Sequence, residues 1–414
     1  MPRHTPGILN TIAGAAMFIA LAASVRAQSQ VPATGGLSLS GAIERALGAN
    51  PSIAAARLQR PIDRAGVGIA GERPNPELAY ELSKETPRQA ITATLPIELG
   101  GKRARRLDLA NATVAVGEAE LARVINEIRN DVRHAYFEAV AADERARIAD
   151  DLRGLAERAR NAARARVTAG DVPQSDLTQA ELVLANGEND LAAARGDAAA
   201  ARADLNALLG QPVDSPLTLT DSLTGGALPS AADAIAQATA GNGELQVLDR
   251  RIAEQSAKIG LSKSLRTPDI AAGGAFVYDA EPEFRYGWRV SFGVTLPVLA
   301  THKPAVVFEE GTLTRLEAER GAIIARISGG IGAALARATA ARERITRYET
   351  TILPLALEAE RQAQAAYTGG QTGLPALVQA LQLARDSRQR GLDAGLDYQR
   401  ALADLERAIG APIK

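Results

Sequence analysis

The sequence predicts a mainly α-helical chain with a small β part, built twice over, each copy a strand pair followed by a long coiled-coil helical hairpin. Three observations carry this reading. Landmark residues recur in the same order at a spacing of roughly 190–200 residues. Alanine-rich stretches run without proline well beyond the length of an ordinary helix. Six aromatic residues of a chain that is only 3% aromatic crowd into one alternating stretch, Phe276 to Phe292.

The N-terminus reads as a removable export signal over 1–27. Arg3 and His4 give a weakly basic start, Ile8 to Val25 is mostly apolar, and Val25-Arg26-Ala27 offers small residues around a cleavage point after Ala27. A membrane anchor is the rival reading, but Gly7, Asn10, Thr11 and Gly14 dilute the run. Cleavage removes Arg3 and Arg26 and no acid, lowering the formal net charge of −1 by two. So small a charge points to neither nucleic acid nor anionic lipid. The absence of cysteine excludes disulfides, thiolate metal sites and a lipid-carrying N-terminal cysteine.

A first repeat is expected over 28–213, a connector over 214–228 and a second repeat over 229–414. Ala42-Ile43 with Asn50 returns as Ala234-Ile235 with Asn242, and Pro76-Glu77-Leu78 as Pro268-Asp269-Ile270. Thr94-Leu95-Pro96-Ile97 returns as Thr295-Leu296-Pro297-Val298, and Leu209-Gly210-Gln211-Pro212-Val213 as Ile409-Gly410-Ala411-Pro412-Ile413. Pro, Gly and Asn at turns are not mimicked by alanine-rich composition.

Each copy opens with a helix, about 39–70 in the first. Strands follow at about 77–84 and 88–96, and again at about 269–280 and 284–298. Long helical hairpins occupy about 99–210 and 303–410. In the first, Leu107, Val114, Leu121, Ile128 and Ala135 are seven apart and Ala110, Gly117 and Val124 form a companion seam, the pattern of a left-handed coiled pair. Most of the charges between them form a solvated face. The hairpin turns at Thr168-Ala169-Gly170-Asp171-Val172-Pro173, and the return is read as two shorter helices. In the second copy Gly329, Gly330 and Gly332 interrupt the long helix, by close approach of a neighbour or by a bend.

The last strand is the most informative. Phe284, Tyr286, Trp288, Val290 and Phe292 alternate with Arg285, Gly287, Arg289 and Ser291, so one face is aromatic and the other polar or small. Such a strand suits a wall between lipid and water. Strand edges are not tolerated in lipid, and four strands cannot close a barrel, so several copies of the chain are needed; three supply twelve strands. A soluble strand pair packed on a helix is the plainer alternative.

With these features the sequence resembles the TolC-type outer-membrane efflux proteins, in particular the CzcC-like branch of heavy-metal resistance systems. The resemblance rests on Arg73-Pro74-Asn75-Pro76-Glu77-Leu78 entering the first strand and on Leu95-Pro96-Ile97-Glu98-Leu99-Gly100-Gly101-Lys102-Arg103 leaving the second, with the paired tips around Gly170 and Gly370. It implies a homotrimer with a twelve-stranded β-barrel continuous with a helical barrel in the periplasm. It also implies a periplasmic adaptor and an inner-membrane transporter of the resistance-nodulation-division class as partners. A periplasmic gate and adaptor-docking tips are implied at Thr168, Gly170, Asp171, Asp176, Tyr367, Thr368, Gly370 and Gln371. Asp176 and Tyr367 are the pair expected to hold the closed state by a side-chain hydrogen bond. Asp171 has the plainer alternative of capping the return helix. Ala376 and Gln379 stand where some relatives carry acids.

No catalytic constellation appears. The only histidines are His4, His134 and His302, and there is no phosphate loop or nucleophile–base order. The expected function is an exit duct for metal cations or small toxic compounds, without cofactor, metal or catalysis of its own. A duct for type I protein secretion and a soluble periplasmic scaffold are the alternatives.

Overall fold

The computed structural model describes residues 36–413, so the export signal expected over 1–27 lies outside them. Three short helices, α1 (Leu39–Ala49), α2 (Pro51–Arg57) and α3 (Gln59–Ala70), lead to strands β1 (Glu77–Leu82) and β2 (Gln89–Ile97). The expected single helix over 39–70 is therefore divided. Asn50 leaves helical geometry and caps α2 by accepting from the backbone of Ser52, and Pro51 takes the first helical position, which needs no N–H.

A 68-residue helix, α4 (Lys102–Ala169), follows, and α5 (Gln174–Leu208) returns beside it. The return is one continuous helix and not two; nothing between Gln174 and Leu208 breaks it. The second copy runs α6 (Ala231–Gly241), α7 (Gly243–Ser264), β3 (Asp269–Ala280), β4 (Phe284–Thr295), α8 (Lys303–Arg347), α9 (Leu353–Thr368) and α10 (Leu374–Ile409). A π-helical turn, Tyr348–Ile352, joins α8 to α9. Pro354 has no N–H to offer the preceding turn, and the helix widens so that the amide of Leu353 reaches the carbonyl of Tyr348. Helix α8 passes straight through Gly329, Gly330 and Gly332, and a Cβ on any of them would meet nothing within 4 Å. Close approach within the chain does not explain these glycines.

Corresponding landmarks of the two copies do the same work. The Asn50 side chain donates to the carbonyl of Leu208 and that of Asn242 to the carbonyl of Ala408, both at 2.9 Å. Each asparagine thus caps one helix and ties it to the end of its copy's return helix. Gly210 and Gly410 both have positive φ and lie where a Cβ would strike the carbonyl oxygens of Ala49 and Gly241.

The core is a series of clusters along the helices. One gathers Tyr136, Val132, Ile53, Leu205 and Leu396. The Tyr136 hydroxyl donates to the Leu37 carbonyl at 2.7 Å and accepts from the amides of Thr220 and Asp221, tying the connector to α4. Gln399 donates to the carbonyls of Leu223 and Gly225 and so holds the same connector against α10.

Candidate functional site

The four strands form one antiparallel sheet in the order β1-β2-β3-β4, which leaves β1 and β4 as edges. Its register sorts the side chains. Tyr80 pairs with Ile91, Ile91 with Phe276 and Phe276 with Trp288, giving one apolar row across all four strands. Neighbouring rows on that face bring Tyr278 opposite Tyr286, and Leu95 and Phe292 either side of Ala272. The rings of Phe276 and Tyr286 stack with centroids 6.3 Å apart.

The opposite face carries small and polar residues, with Thr94, Gly273 and Ser291 in one row and Thr92, Ala275 and Arg289 in the next. Alternation in β4 thus puts Phe284, Tyr286, Trp288, Val290 and Phe292 on the aromatic side. Among the described residues nothing covers this side: Trp288 is 80% exposed and Tyr80 58%. A continuous exposed apolar face of this extent marks a surface that meets lipid or another protein.

Below the sheet the strands pass into helices through tight junctions. Gly100 and Gly101 both have positive φ, and a Cβ on Gly100 would lie 2.5 Å from the Thr267 side chain. Buried Lys102 pairs with Asp269 at 2.6 Å, and the other oxygen of that carboxylate accepts from the amide of Leu99. Glu98 holds Arg106, which also donates to the carbonyl of Glu72, while Arg103 donates to that of Gly71. The Gly-Gly-Lys-Arg run of the sequence therefore clamps β2, β3 and the end of α3 together.

The two hairpin tips lie at the other end of the long helices and share one turn. Gly170 and Gly370 have φ of 80° and 72°, and the amides of Asp171 and Gln371 reach back to the carbonyls of Arg166 and Ala366, each at 2.9 Å. Thr168 and Thr368 turn their hydroxyls onto their own helices, to the carbonyls of Arg164 and Gln364. Asp171 is not the cap of the return helix, because Pro173 occupies that position and no side chain caps it.

Tyr367 is fully buried between the two hairpins, packed with Leu155, Ala159, Leu177 and Leu377. Its hydroxyl has no hydrogen-bond partner, so the expected bond to Asp176 is not made within the chain. Burial pushes the phenol above its ordinary range; Arg166 opposes that shift and Asp176 adds to it. The contact that joins the hairpins here is one the sequence did not suggest. The Arg166 guanidinium lies over the Tyr367 ring, 5.3 Å from its centroid, and donates to the Tyr367 carbonyl at 3.4 Å.

His134 is half-buried on α4, with its Nε2 4.0 Å from Asp404 of α10. Among the described residues no group of three or more His, Asp and Glu side chains is arranged to hold a metal ion. Nor is any described helix long and apolar enough to cross a membrane.

Residues 42–211, which hold the first strand pair and the first helical hairpin, match the family described as outer membrane efflux protein. The chain is similar over nearly its whole length to the cobalt-zinc-cadmium resistance protein CzcC of Cupriavidus metallidurans. The two are 28% identical over 403 residues, 94% of this chain and 95% of that protein. Its fold is that of solved outer-membrane channels. CusC superimposes with a TM-score of 0.75 at 16% identity, covering 90% of this chain and 92% of that one. The open state of the Neisseria gonorrhoeae MtrE outer membrane channel superimposes with a TM-score of 0.74 at 19% identity, covering 91% and 89%.

Proposed function

We propose that the chain is the outer-membrane exit duct of a tripartite efflux system, and that it works as a homotrimer. The observation that carries this reading is the four-stranded sheet, one face exposed and apolar, the other small and polar, with the outer edges of β1 and β4 both unpaired among the described residues. In a bilayer those edges must be paired, and three copies closing β4 of one onto β1 of the next give a twelve-stranded barrel.

The helices below are laid out for the same closure. Side by side they run α3, α4, α7, α8, in the order of the strands to which they connect. The outermost two expose apolar side chains, Ile62 and Ile69 on α3, with Leu58 just before it, and Val307 and Phe308 on α8. Packing of α7 on α4 within the chain is the template for α3 of one copy on α8 of the next. Each repeat, 28–213 and 229–414, then contributes one strand pair and one hairpin to a barrel continued as a helical tunnel in the periplasm.

Cargo is proposed to be metal cations or small toxic compounds, on the strength of the metal-resistance relative CzcC. A periplasmic adaptor and an inner-membrane transporter of the resistance-nodulation-division class complete the system. The tips formed by Thr168, Gly170, Asp171, Asp176, Tyr367, Thr368, Gly370 and Gln371 serve as its periplasmic mouth and adaptor-docking points. The duct is passive, performs no catalysis and needs no cofactor.

Cell fractionation and mass measurement in detergent test the proposal. The expected result is a trimer that partitions with outer membranes and needs detergent; a soluble monomer after export overturns it. Deletion in the native host, followed by growth on cobalt, zinc and cadmium, tests the cargo class.

A further inference from the structure

Where strands meet helices, basic residues outnumber the acids left to pair with them at three junctions of four. Lys102, Arg103, Arg105 and Arg106 lie in the first turns of α4, Lys263 at the end of α7 with Arg266 just beyond it, and Lys303 at the start of α8. The acids nearby are already engaged. Asp269 holds Lys102, Glu98 holds Arg106, Asp108 holds Arg105 and Glu310 holds Lys263. Glu309 accepts from Gln255. Arg103, Arg266 and Lys303 remain, all exposed and all without an acidic partner among the described residues. At the fourth junction Arg73 lies between exposed Glu72 and Glu77 and adds no net positive charge.

Each of these three cations lies within four residues of an exposed leucine: Leu99 before Arg103, Leu265 beside Arg266 and Leu299, 98% exposed, before Lys303. Above them rises the exposed apolar strand face through Leu296, Val294 and Phe292. An apolar band ending in cations with no counter-charge is the chemistry of a bilayer boundary. The aliphatic stem of the side chain lies against acyl chains while its charge reaches the headgroup phosphate. The overall charge of −1 hides this local excess.

We propose that Arg103, Arg266 and Lys303 form a collar, repeated in each copy around the trimer, that binds anionic phospholipid headgroups in the leaflet nearest the helices. This rests on reading the strands as membrane-spanning. The experiment uses the full-length protein reconstituted into nanodiscs of phosphatidylethanolamine with phosphatidylglycerol, with co-purifying lipid counted by native mass spectrometry. Wild type is expected to retain phosphatidylglycerol in preference to phosphatidylethanolamine, and 0.5 M salt to erase the preference. The triple variant R103Q/R266Q/K303Q should lower the preference roughly fivefold or more. The variant R337Q/R342Q/R347Q removes the same charge from exposed, unpaired positions farther down the helices and should leave it unchanged. If the collar triple fails to assemble, the single variants Arg266→Gln and Lys303→Gln must each lower the preference. Absence of preference in wild type, or equal preference in the two triple variants, overturns the collar. Trimer mass is read from the same spectra, so failure of the trimer reading is seen separately.

Discussion

Arg166 of the first hairpin lies over the ring of Tyr367 of the second and also donates to its backbone carbonyl. Both contacts cross from one hairpin to the other at the proposed mouth, where the Tyr367 hydroxyl bonds to nothing. Arg166→Ala is therefore expected to raise single-channel conductance in planar bilayers without lowering trimer yield. Wild-type conductance in that variant would remove Arg166 from the gate.

Tyr367→Phe separates the two ways in which Tyr367 can act, through its ring and through its hydroxyl. A buried hydroxyl without a partner costs free energy, and removing it is neutral or stabilising. Melting temperature should hold or rise, and conductance should stay at the wild-type level because the ring under Arg166 is kept. A conductance rise in Tyr367→Phe, matched by Asp176→Asn, would restore the hydroxyl–carboxylate latch.

Val290 and Arg289 occupy opposite faces of β4, opposite Gly274 and Ala275 of β3. Val290→Asp places a charge in the proposed lipid face, at a cost somewhat below the ~2–4 kcal/mol of a base at mid-depth. Assembled trimer should fall sharply for Val290→Asp and much less for Arg289→Asp. Equal yields would mean that the apolar face does not meet lipid.

Tyr136 serves three backbone groups with one hydroxyl, and Tyr136→Phe leaves the amides of Thr220 and Asp221 and the carbonyl of Leu37 without it. A loss of about 1–3 kcal/mol is expected, seen as a lower melting temperature and faster proteolysis within 211–230. Unchanged protease sensitivity would show that the connector is held without it, by Gln399 and by the Tyr398 hydroxyl, which donates to the Gly226 carbonyl, among other contacts.

Burial holds the imidazole of His134 below its ordinary value of 6.5; Asp404 and Asp131 pull it up, and Arg407 and Arg400 push it further down. A depressed folded-state value means that the unfolded chain takes up the proton first. Stability is full above about pH 6.5 and declines as pH falls toward the lower folded value. His134→Gln should flatten that part of the melting-temperature profile, and an unchanged slope would assign it to other groups.

The mainly helical character and the small antiparallel sheet were legible because their signals are local. A strand has a period of two, so Phe284 to Phe292 displays its faces in the sequence itself. The break at Asn50-Pro51 also had a local signal, a capping residue followed by proline, although the run 39–70 reads as continuous by composition. The break at Leu58 had none, since its side chain caps nothing. The least legible features are contacts between distant residues. Lys102 meets Asp269 across 167 positions and Arg166 meets Tyr367 across 201. Each of these residues alone reads as one more solvated charge or packed aromatic.

Helix α4 runs unbroken for 68 residues, a rod about 100 Å long, clamped at one end by Lys102, Arg103 and Arg106 and carrying Arg166 near the other. A rod of that length is a mechanical lever. A swing of about three degrees at the clamp sweeps the far end through about 5 Å, roughly the pitch of one helical turn. In the proposed trimer, an aperture built from such levers would need no refolding to change its bore, and its opening would be as sensitive to strain at the clamp as to contacts at the tip.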